Sequence, residues 1–196
     1  MNTRFAAKKI TATTLFTDLR EFNKIVNILS LEETHRFLND MYAPIVESVL
    51  THHGTIDKFI GDAVMAVFGS PSPHVDDALN AVKAALEIQK RMDEINVEWK
   101  QSLDFLVTID IGIATGEVLA CNVGHVKRME YTVIGQSVNL AAQLTEKCKR
   151  HNVEILLDGA TQEGIKDTME CKLVDEHLFL GFPEPVKLYT PKSLDP

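Results

Sequence analysis

Residues 58–69 limit the possible folds of this chain strongly, because two apolar segments there flank the dipeptide Gly61-Asp62. β-Branched and aromatic residues favour strands, and Gly next to Asp favours a two-residue turn between them. The run therefore predicts a β-hairpin with Asp62 at its tip. A carboxylate in that position is well placed to hold a cation, although Asp is also common in turns for conformational reasons alone.

A second acid follows another strand-forming run. Residues 13–17 are rich in Thr, Leu and Phe, the run ends at Asp18, and a helix is predicted to begin at Phe22. Two acids that each end a strand-like run are less easily explained as ordinary turn residues than one. Asp18 and Asp62 are therefore the first candidates for a functional pair.

The rest of the chain alternates strands with amphipathic helices. Ser30 and Glu33 form a predicted capping box, and the apolar face of the helix that follows stays in phase at Phe37, Met41, Ile45 and Val49. Helices are predicted over residues 22–28, from 30 to an end at Gly54, and over 76–99 and 136–149. Further strands are predicted over residues 10–19, 105–113, 118–123, 153–157, 171–174 and 186–189, with a turn at Thr115-Gly116. This order predicts an α+β fold with helices packed on a mixed sheet.

Composition narrows the function. The 196 residues suit a single domain over 1–196, with a core of about 9–190. A formal net charge of −8 without a basic stripe argues against nucleic-acid binding. No apolar run is long enough to span a bilayer and no secretory leader is evident, so no membrane contact is expected from this segment. Three scattered cysteines indicate reduced thiols, and hence a cytoplasmic location.

Four motifs together resemble the class III adenylyl/guanylyl cyclase catalytic domain of bacterial type. They are Phe-Thr-Asp-Leu-Arg-Glu-Phe at 16–22, the hairpin at 58–69, Gly-Ile-Ala-Thr-Gly-Glu-Val at 112–118, and Tyr-Thr-Val-Ile-Gly-Gln-Ser-Val-Asn-Leu-Ala-Ala at 131–142. The resemblance covers roughly residues 9–189. It implies a ferredoxin-like core and an attack of the ribose 3′-oxygen on the α-phosphate of a nucleoside triphosphate.

The resemblance also implies a metal and phosphate site. Asp18 and Asp62 match the two metal-binding aspartates, with the Leu19 carbonyl as a further ligand, and two Mg²⁺ or Mn²⁺ ions are expected per site. Backbone amides from Leu19 to Phe22 are expected to cradle the β- and γ-phosphates. A cation for the polyphosphate is expected from Lys127 or Arg128, and the sequence leaves that choice open.

Two residues match the positions that read the base. Lys58 is a donor that suits adenine N1, which is an acceptor, and the Thr132 hydroxyl can accept from the adenine amino group. Guanylyl cyclases usually carry Glu and Cys or a similar pair there. The resemblance therefore favours ATP over GTP, and Asn139 matches the residue that orients the ribose.

Three positions depart from the family pattern. Gln143 stands where an arginine contacts the α-phosphate, Leu180 where a lysine contacts the terminal phosphates, and Cys121 where glycine is usual. Glutamine lacks the charge for a strong phosphate bond. These changes predict an adenylyl cyclase with weakened activity, or alternatively a regulatory pseudo-cyclase that binds nucleotide or dimerises with little turnover.

The resemblance implies a site shared between two chains, one giving the aspartates and the other the base-reading pair and Asn139. This chain carries both sets, so a head-to-tail homodimer with two equivalent sites is expected, and a heterodimer with another cyclase chain is the alternative. A guanylyl cyclase is disfavoured by Lys58 and Thr132. A diguanylate cyclase is disfavoured because residues 60–63 lack a Gly-Gly-acid signature.

Overall fold

The computed structural model describes residues 7–192. In this part of the chain the helices are α1 (Phe22–Ile28), α2 (Leu31–Thr51), α3 (Asp77–Trp99), α4 (Gln136–His151) and α5 (Gly159–Ile165). The strands are β1 (Lys8–Leu19), β2 (Thr55–Ile60), β3 (Ala63–Phe68), β4 (Ile109–His125), β5 (Arg128–Ile134), β6 (Ile155–Asp158), β7 (Cys171–His177) and β8 (Val186–Pro191).

These strands form one mixed sheet in the order β2-β3-β1-β4-β6-β8-β7, with β5 paired to β4. The β4–β6 pair is parallel and the other pairs are antiparallel. The predicted α+β class with a mixed sheet is therefore confirmed. The predicted hairpin is confirmed as β2 and β3, joined by Gly61-Asp62 with Gly61 in the left-handed region (φ 62°).

Helices cover both faces of the sheet. On one face the main core joins α2 and α3 to Ile109, Ile111 and Ile113 of β4, and it includes the predicted apolar face of α2, which is fully buried. On the other face α4 packs against Ala114 and Leu156. The capping box at Ser30 and Glu33 is confirmed by bonds in both directions, and α2 continues through Pro44.

The predictions for β4 were wrong at two points. Residues 105–108 do not join the strand, because the Asn96 side chain takes both backbone groups of Val107, at 2.7 and 3.0 Å. No turn interrupts the chain at Thr115-Gly116, and β4 runs unbroken for 17 residues. The glycines of this strand allow α4 to approach the sheet, since a Cβ on Gly112 would lie 2.1 Å from the Ala141 carbonyl oxygen.

The end of α2 also differs from the prediction. The helix ends at Thr51, and the left-handed residue beyond it is His53 (φ 62°) and not Gly54. Gly54 is needed for space, because a Cβ there would lie 2.7 Å from the Phe68 ring. The short helix α5 was not predicted; the Asp158 side chain accepts from the Thr161 amide at its start. None of the described helices is both long and apolar enough to cross a bilayer.

Candidate active site

Asp18 and Asp62 lie where β1 ends and where the β2–β3 hairpin turns. The Leu19 amide, next to Asp18, donates to Asp62 Oδ2 at 3.3 Å. On the other side of the turn, the Tyr42 hydroxyl of α2 donates to the Gly61 carbonyl oxygen. The turn is thus held to both β1 and α2. The two carboxylates predicted as a pair are brought together by the fold.

The surroundings of Asp18 disfavour the charged form of its carboxylate. Desolvation by the surrounding protein raises its pKa to about 6, with further contributions from the negative charges of Asp62, Asp110 and Glu146. Asp18 nevertheless remains exposed at the surface, so an ion can reach it. Carboxylates crowded together in this way make binding of a divalent ion favourable.

The two carboxylates of Asp18 and Asp62 suit a Mg²⁺ or Mn²⁺ ion that has further ligands from the substrate. Among residues 7–192 no group of three or more His, Cys, Asp or Glu side chains is arranged to hold a metal ion. Mg²⁺ is commonly bound through one or two carboxylates together with substrate phosphates and water. Asp18 and Asp62 therefore suit an ion that arrives with a polyphosphate better than an ion held by the protein alone.

An ion pair beside these acids was missed by the sequence reasoning. Asp110 pairs with Asp18 across β1 and β4, and its carboxylate is buried. Arg20 donates to it from Nε at 2.7 and 2.9 Å, and from Nη2 to the Val153 carbonyl oxygen. Burial raises the pKa of Asp110 while Arg20 opposes that rise. The only signal in the sequence was an acid within the apolar run 109–113.

The loop after β1 corrects one prediction. The Leu19 amide is bonded to Asp62, and the Arg20 amide donates to the Thr108 carbonyl oxygen at 2.9 Å, so neither is available for phosphate. Helix α1 starts after Glu21, which adopts a left-handed conformation (φ 60°). The amides of Phe22 and Asn23 precede the first intrahelical bonds. Of the amides predicted at residues 19–22, only those at the start of α1 therefore remain candidates for binding phosphate.

The predicted base-reading residues meet at a third residue that was not predicted. Thr132 Oγ1 donates to Asp57 Oδ1 at 2.9 Å, and Lys58 Nζ lies 3.4 Å from the same oxygen. Lys58 Nζ also lies 3.4 Å from Glu130 Oε2. The fold therefore gathers Lys58 and Thr132 into one cluster although they lie on different strands.

The predicted phosphate-binding cations lie at the tip of the β4–β5 hairpin. Arg128 is exposed and pairs with Glu130 at 3.2 Å, while Lys127 lies in the turn, where its amide donates to His125 Nδ1 at 3.3 Å. The turn consists of Val126 and Lys127, because Gly124, His125 and Arg128 belong to strands. The choice between Lys127 and Arg128 stays open.

Asn139 and Gln143 lie on one face of α4, one turn apart. Asn139 is exposed, and Gln143 Nε2 approaches its carbonyl oxygen at 3.4 Å. At the start of the same helix the Gln136 side chain donates to the Gly181 carbonyl oxygen. That contact places the neighbouring Leu180, which is 92% exposed, beside the N-terminal end of α4.

A family model described as the adenylate and guanylate cyclase catalytic domain matches residues 6–189. The chain belongs to this family. Its similar structures include the adenylyl cyclase CyaB from P. aeruginosa, with a TM-score of 0.91 at 32% identity, covering 97% of this chain and 98% of that one. They also include the guanylyl cyclase Cya2, with a TM-score of 0.85 at 29% identity, covering 95% and 94%.

Curated relatives of this cyclase domain are longer proteins. The terminal-differentiation-specific adenylate cyclase of Dictyostelium discoideum is 33% identical over 180 residues, which is 90% of this chain and 8% of that protein. An uncharacterized Mycobacterium tuberculosis protein is 33% identical over 189 residues, 94% of this chain and 32% of that protein. The chain thus spans less than a third of these relatives. Both adenylyl and guanylyl cyclases are among the similar proteins, so similarity alone does not identify the substrate. The substrate has to be inferred from the residues of the site.

The two clusters of this cyclase domain are separated along the hairpin. Lys58 lies two residues before the end of β2, and a strand rises about 3.3 Å per residue, so Lys58 lies roughly 7 Å along the strand from the turn that carries Asp62. The cavity beside Asp57 and Thr132 has a volume of about 40 Å³, room for a few waters at most and not for a purine. A base that contacts Lys58 and Thr132 must therefore lie in an open cleft.

Proposed function

We propose that this cyclase domain, taken as one unit over residues 1–196 of a cytoplasmic protein, converts ATP to 3′,5′-cyclic AMP and pyrophosphate. The observation that carries the proposal is the cluster of Lys58 and Thr132 around Asp57. Lys58 offers a donor to adenine N1, and Thr132 offers an acceptor to the adenine amino group. Guanine presents a donor and an acceptor at those two positions, which is the opposite pattern.

Asp18 and Asp62, with the Leu19 carbonyl, hold two Mg²⁺ or Mn²⁺ ions in this proposal. When bound, such ions would lower the pKa of the 3′-hydroxyl, whose proton passes to water, and would offset charge on the polyphosphate. The 3′-oxygen then bonds to the α-phosphorus as the bond to the β-phosphate oxygen breaks and pyrophosphate leaves. Because the pKa of Asp18 is raised to about 6, protons compete with the ions for its carboxylate below that pH.

The remaining residues orient the substrate. Asn139, exposed on α4, holds the ribose so that its 3′-oxygen points at the α-phosphorus. The amides at Phe22, with Arg128 or Lys127, bind the β- and γ-phosphates. Arg128 must exchange its partner Glu130 for phosphate, which an exposed ion pair permits at little cost.

Two chains form each site in this proposal. Exposed apolar side chains lie on the β2–β3 hairpin, at Phe59 and Ile60, and on the β4–β5 arm, at Val123, Met129 and Ile134. Pairing such surfaces around a two-fold axis gives a homodimer with two sites, in which the aspartates of one chain face Lys58, Thr132 and Asn139 of its partner. A heterodimer with another cyclase chain would use the same surface.

A regulatory pseudo-cyclase remains the second candidate because of two side chains. Gln143 and Leu180 occupy exposed or half-exposed places on and beside α4, where neither supplies a positive charge. Each lost charged donor costs about 10² in rate when nothing replaces it. We therefore propose a weakened cyclase, since the acids and the base cluster are intact.

The deciding experiment is a cyclase assay with ATP and with GTP, in Mg²⁺ and in Mn²⁺, across protein concentrations. Cyclic AMP as the main product, with specific activity that rises with protein concentration, supports the proposal. Formation of cyclic GMP from GTP at an equal or higher rate would reject the substrate assignment. Nucleotide binding without turnover under all conditions would favour the pseudo-cyclase.

A further inference from the structure

Asp57 lies at the centre of the base cluster, and none of the chemistry above uses it. Its side chain is only 5% exposed, yet it is charged and borders the cleft through Lys58, which is 33% exposed. A buried carboxylate needs partners, and its Oδ1 takes the Thr132 hydroxyl at 2.9 Å while Lys58 Nζ lies 3.4 Å away. Asp57 is thus the one described residue shown to contact both side chains assigned to the base.

A break in the β2–β3 pairing makes this contact possible. Ile56 pairs with Ala66 and Lys58 pairs with the next residue back, Met65, so Asp57 is the extra residue of a bulge. In a regular strand neighbouring side chains point to opposite faces. A bulge redirects side chains locally and is frequent beside active sites. Here it lets Asp57 and Lys58, adjacent in sequence, turn toward one another.

The hydrogen-bond roles within this cluster are fixed by chemistry. A threonine hydroxyl has one proton, and a carboxylate can only accept. Since Thr132 gives its proton to Asp57, it can offer a ligand only its lone pairs. The Lys58 ammonium has three protons, of which Asp57 and Glu130 lie in position for two, which leaves one for a ligand acceptor.

We infer that Asp57 is a positioning residue that sets purine specificity, by holding Thr132 as an acceptor and Lys58 as a donor. This inference rests on the proposed function, in which the two side chains read the base. It assigns the selectivity to a buried residue that never touches the nucleotide. An Asp57→Asn change keeps the shape but adds an N–H donor, which lets the Thr132 hydroxyl turn its proton toward the base.

The test compares ATP with purine riboside triphosphate, which lacks the 6-amino group but keeps the N1 acceptor for Lys58. In the unmodified dimer we expect ATP to be favoured by about tenfold in kcat/KM, as for one ordinary hydrogen bond. Asp57→Asn should bring that ratio close to one, mainly through KM, and should also raise relative use of GTP. Glu117→Gln, which removes an exposed ion pair to Lys9, is the control and should keep the original ratio.

A double variant separates positioning from general damage. Thr132→Val should bring the ratio to one by itself, and adding Asp57→Asn should change it no further. If Asp57→Asn does not fold, Asp57→Ser carries the same test with a smaller side chain. A folded Asp57 variant that keeps the original ratio, or an unmodified protein whose ratio is already one, overturns the inference.

Failure of the proposed function would look different. If the unmodified protein makes no cyclic AMP, the catalytic proposal fails, and the same ratio is then measured from the dissociation constants of the two triphosphates. A tenfold preference for ATP that Asp57→Asn removes supports the inference in either case. Equal affinity of the unmodified protein for both triphosphates overturns it.

Discussion

At the scale of single residues, the site contains acidic side chains whose charged form is destabilised by their surroundings in the ligand-free protein. Asp18 is the clearest example, because desolvation raises its pKa and three other carboxylates add to that rise. Functional sites commonly give up stability in this way. The cost can be measured, because a neutral side chain of the same shape should relieve it.

Asp18→Asn is expected to stabilise the metal-free domain at pH 7.5 while abolishing metal-dependent turnover. Asp18 is exposed, so solvent screening limits the gain to about 1 kcal/mol, or ~2–4 °C in Tm for a domain of this size. The raised pKa makes the unmodified domain lose stability as pH rises from 3.8 to about 6. The gain should therefore vanish at pH 4, where the native carboxyl is protonated. Thermal unfolding at both pH values and a cyclase assay measure the two effects.

The exposed Asp93→Asn variant on α3 is the control for this prediction, with neither effect expected. Turnover of the Asp18→Asn protein at the normal rate would show that the carboxylate is not part of the site. A gain that persists at pH 4 would mean that repulsion among the acids is not its cause.

Gln143→Arg is expected to raise kcat by roughly 10² and to change KM less. Gln143 shares a face of α4 with Asn139, so a longer charged side chain there can reach the α-phosphate. Charge that grows in the transition state is what a guanidinium stabilises, by about 2–4 kcal/mol. Steady-state kinetics with ATP measure the change, and Gln101→Arg adds the same charge in an exposed loop as the control. Leu180→Lys should instead lower KM.

A folded Gln143→Arg dimer with unchanged kcat would place the positive charge for catalysis elsewhere, with Lys127 and Arg128 as the next residues to replace. A gain shared by Gln101→Arg would indicate a general effect of charge on this acidic protein.

At the scale of elements, the contact between α4 and β4 sets the position of the side chains that we propose to face the ribose and the phosphates. Gly112 lies under Ala141, and Gly116 lies under Ser137, where a Cβ would come within 3.0 Å. The helix therefore rests on strand backbone and has little freedom to move outward without losing its buried face at Leu140 and Leu144.

Gly112→Ala is expected to destabilise the domain by about 3 kcal/mol and to lower kcat in whatever protein remains folded. The added methyl would meet a backbone oxygen at 2.1 Å, and backbone cannot turn aside as a side chain can. Urea unfolding measures the loss of stability, and activity below the midpoint measures displacement of Asn139. Gly159→Ala, where the added Cβ meets nothing within 4 Å, is the matched control and should be neutral or slightly stabilising. Equal stability of both variants would refute the close packing of α4.

At the scale of the whole molecule, the two side-chain clusters on the β2–β3 hairpin suit different parts of a nucleotide. The acids at its tip suit metal and phosphate, and the cluster at Lys58, roughly 7 Å along β2 from the turn, suits a base. Pairing of two chains would bring the acids of one to the base cluster of the other. The assembly can be tested with variants that are inactive alone.

Mixing Asp18→Ala protein with Asn139→Ala protein is expected to restore about a quarter of normal activity. Random pairing makes half of the dimers mixed, and each mixed dimer has one intact site of two. Cyclic AMP formation by the mixture, against each variant alone, measures the effect. The control is a mixture of Asp18→Ala with Asp62→Ala, which should stay inactive because each site then takes its acids from a damaged chain. Restoration in the control, or none in the first mixture although mixed dimers form, would reject the shared site.

Local patterns in the sequence were enough to predict much of the secondary structure and the two main acids. The β2–β3 hairpin, the capping box of α2 and the phase of its buried face depend on neighbours within a few residues, which local propensity describes well. The four motifs gave the family, which the comparisons confirm, together with the expected roles of Asp18, Asp62, Lys58, Thr132 and Asn139. Those roles stay predictions until the variants are measured.

Contacts between residues that are far apart in the chain could be found only from the tertiary structure. Asp57 and Thr132 are 75 residues apart, and Arg20 and Asp110 are 90 apart, so no local pattern shows either contact. The unbroken course of β4 was missed because its glycines read as turn residues, whereas they provide room for a helix that packs from a distant part of the chain. The strand-end acids could be read from sequence because their position is local. The residue inferred to set purine specificity could not, because its role comes from a bulge that turns it toward another strand.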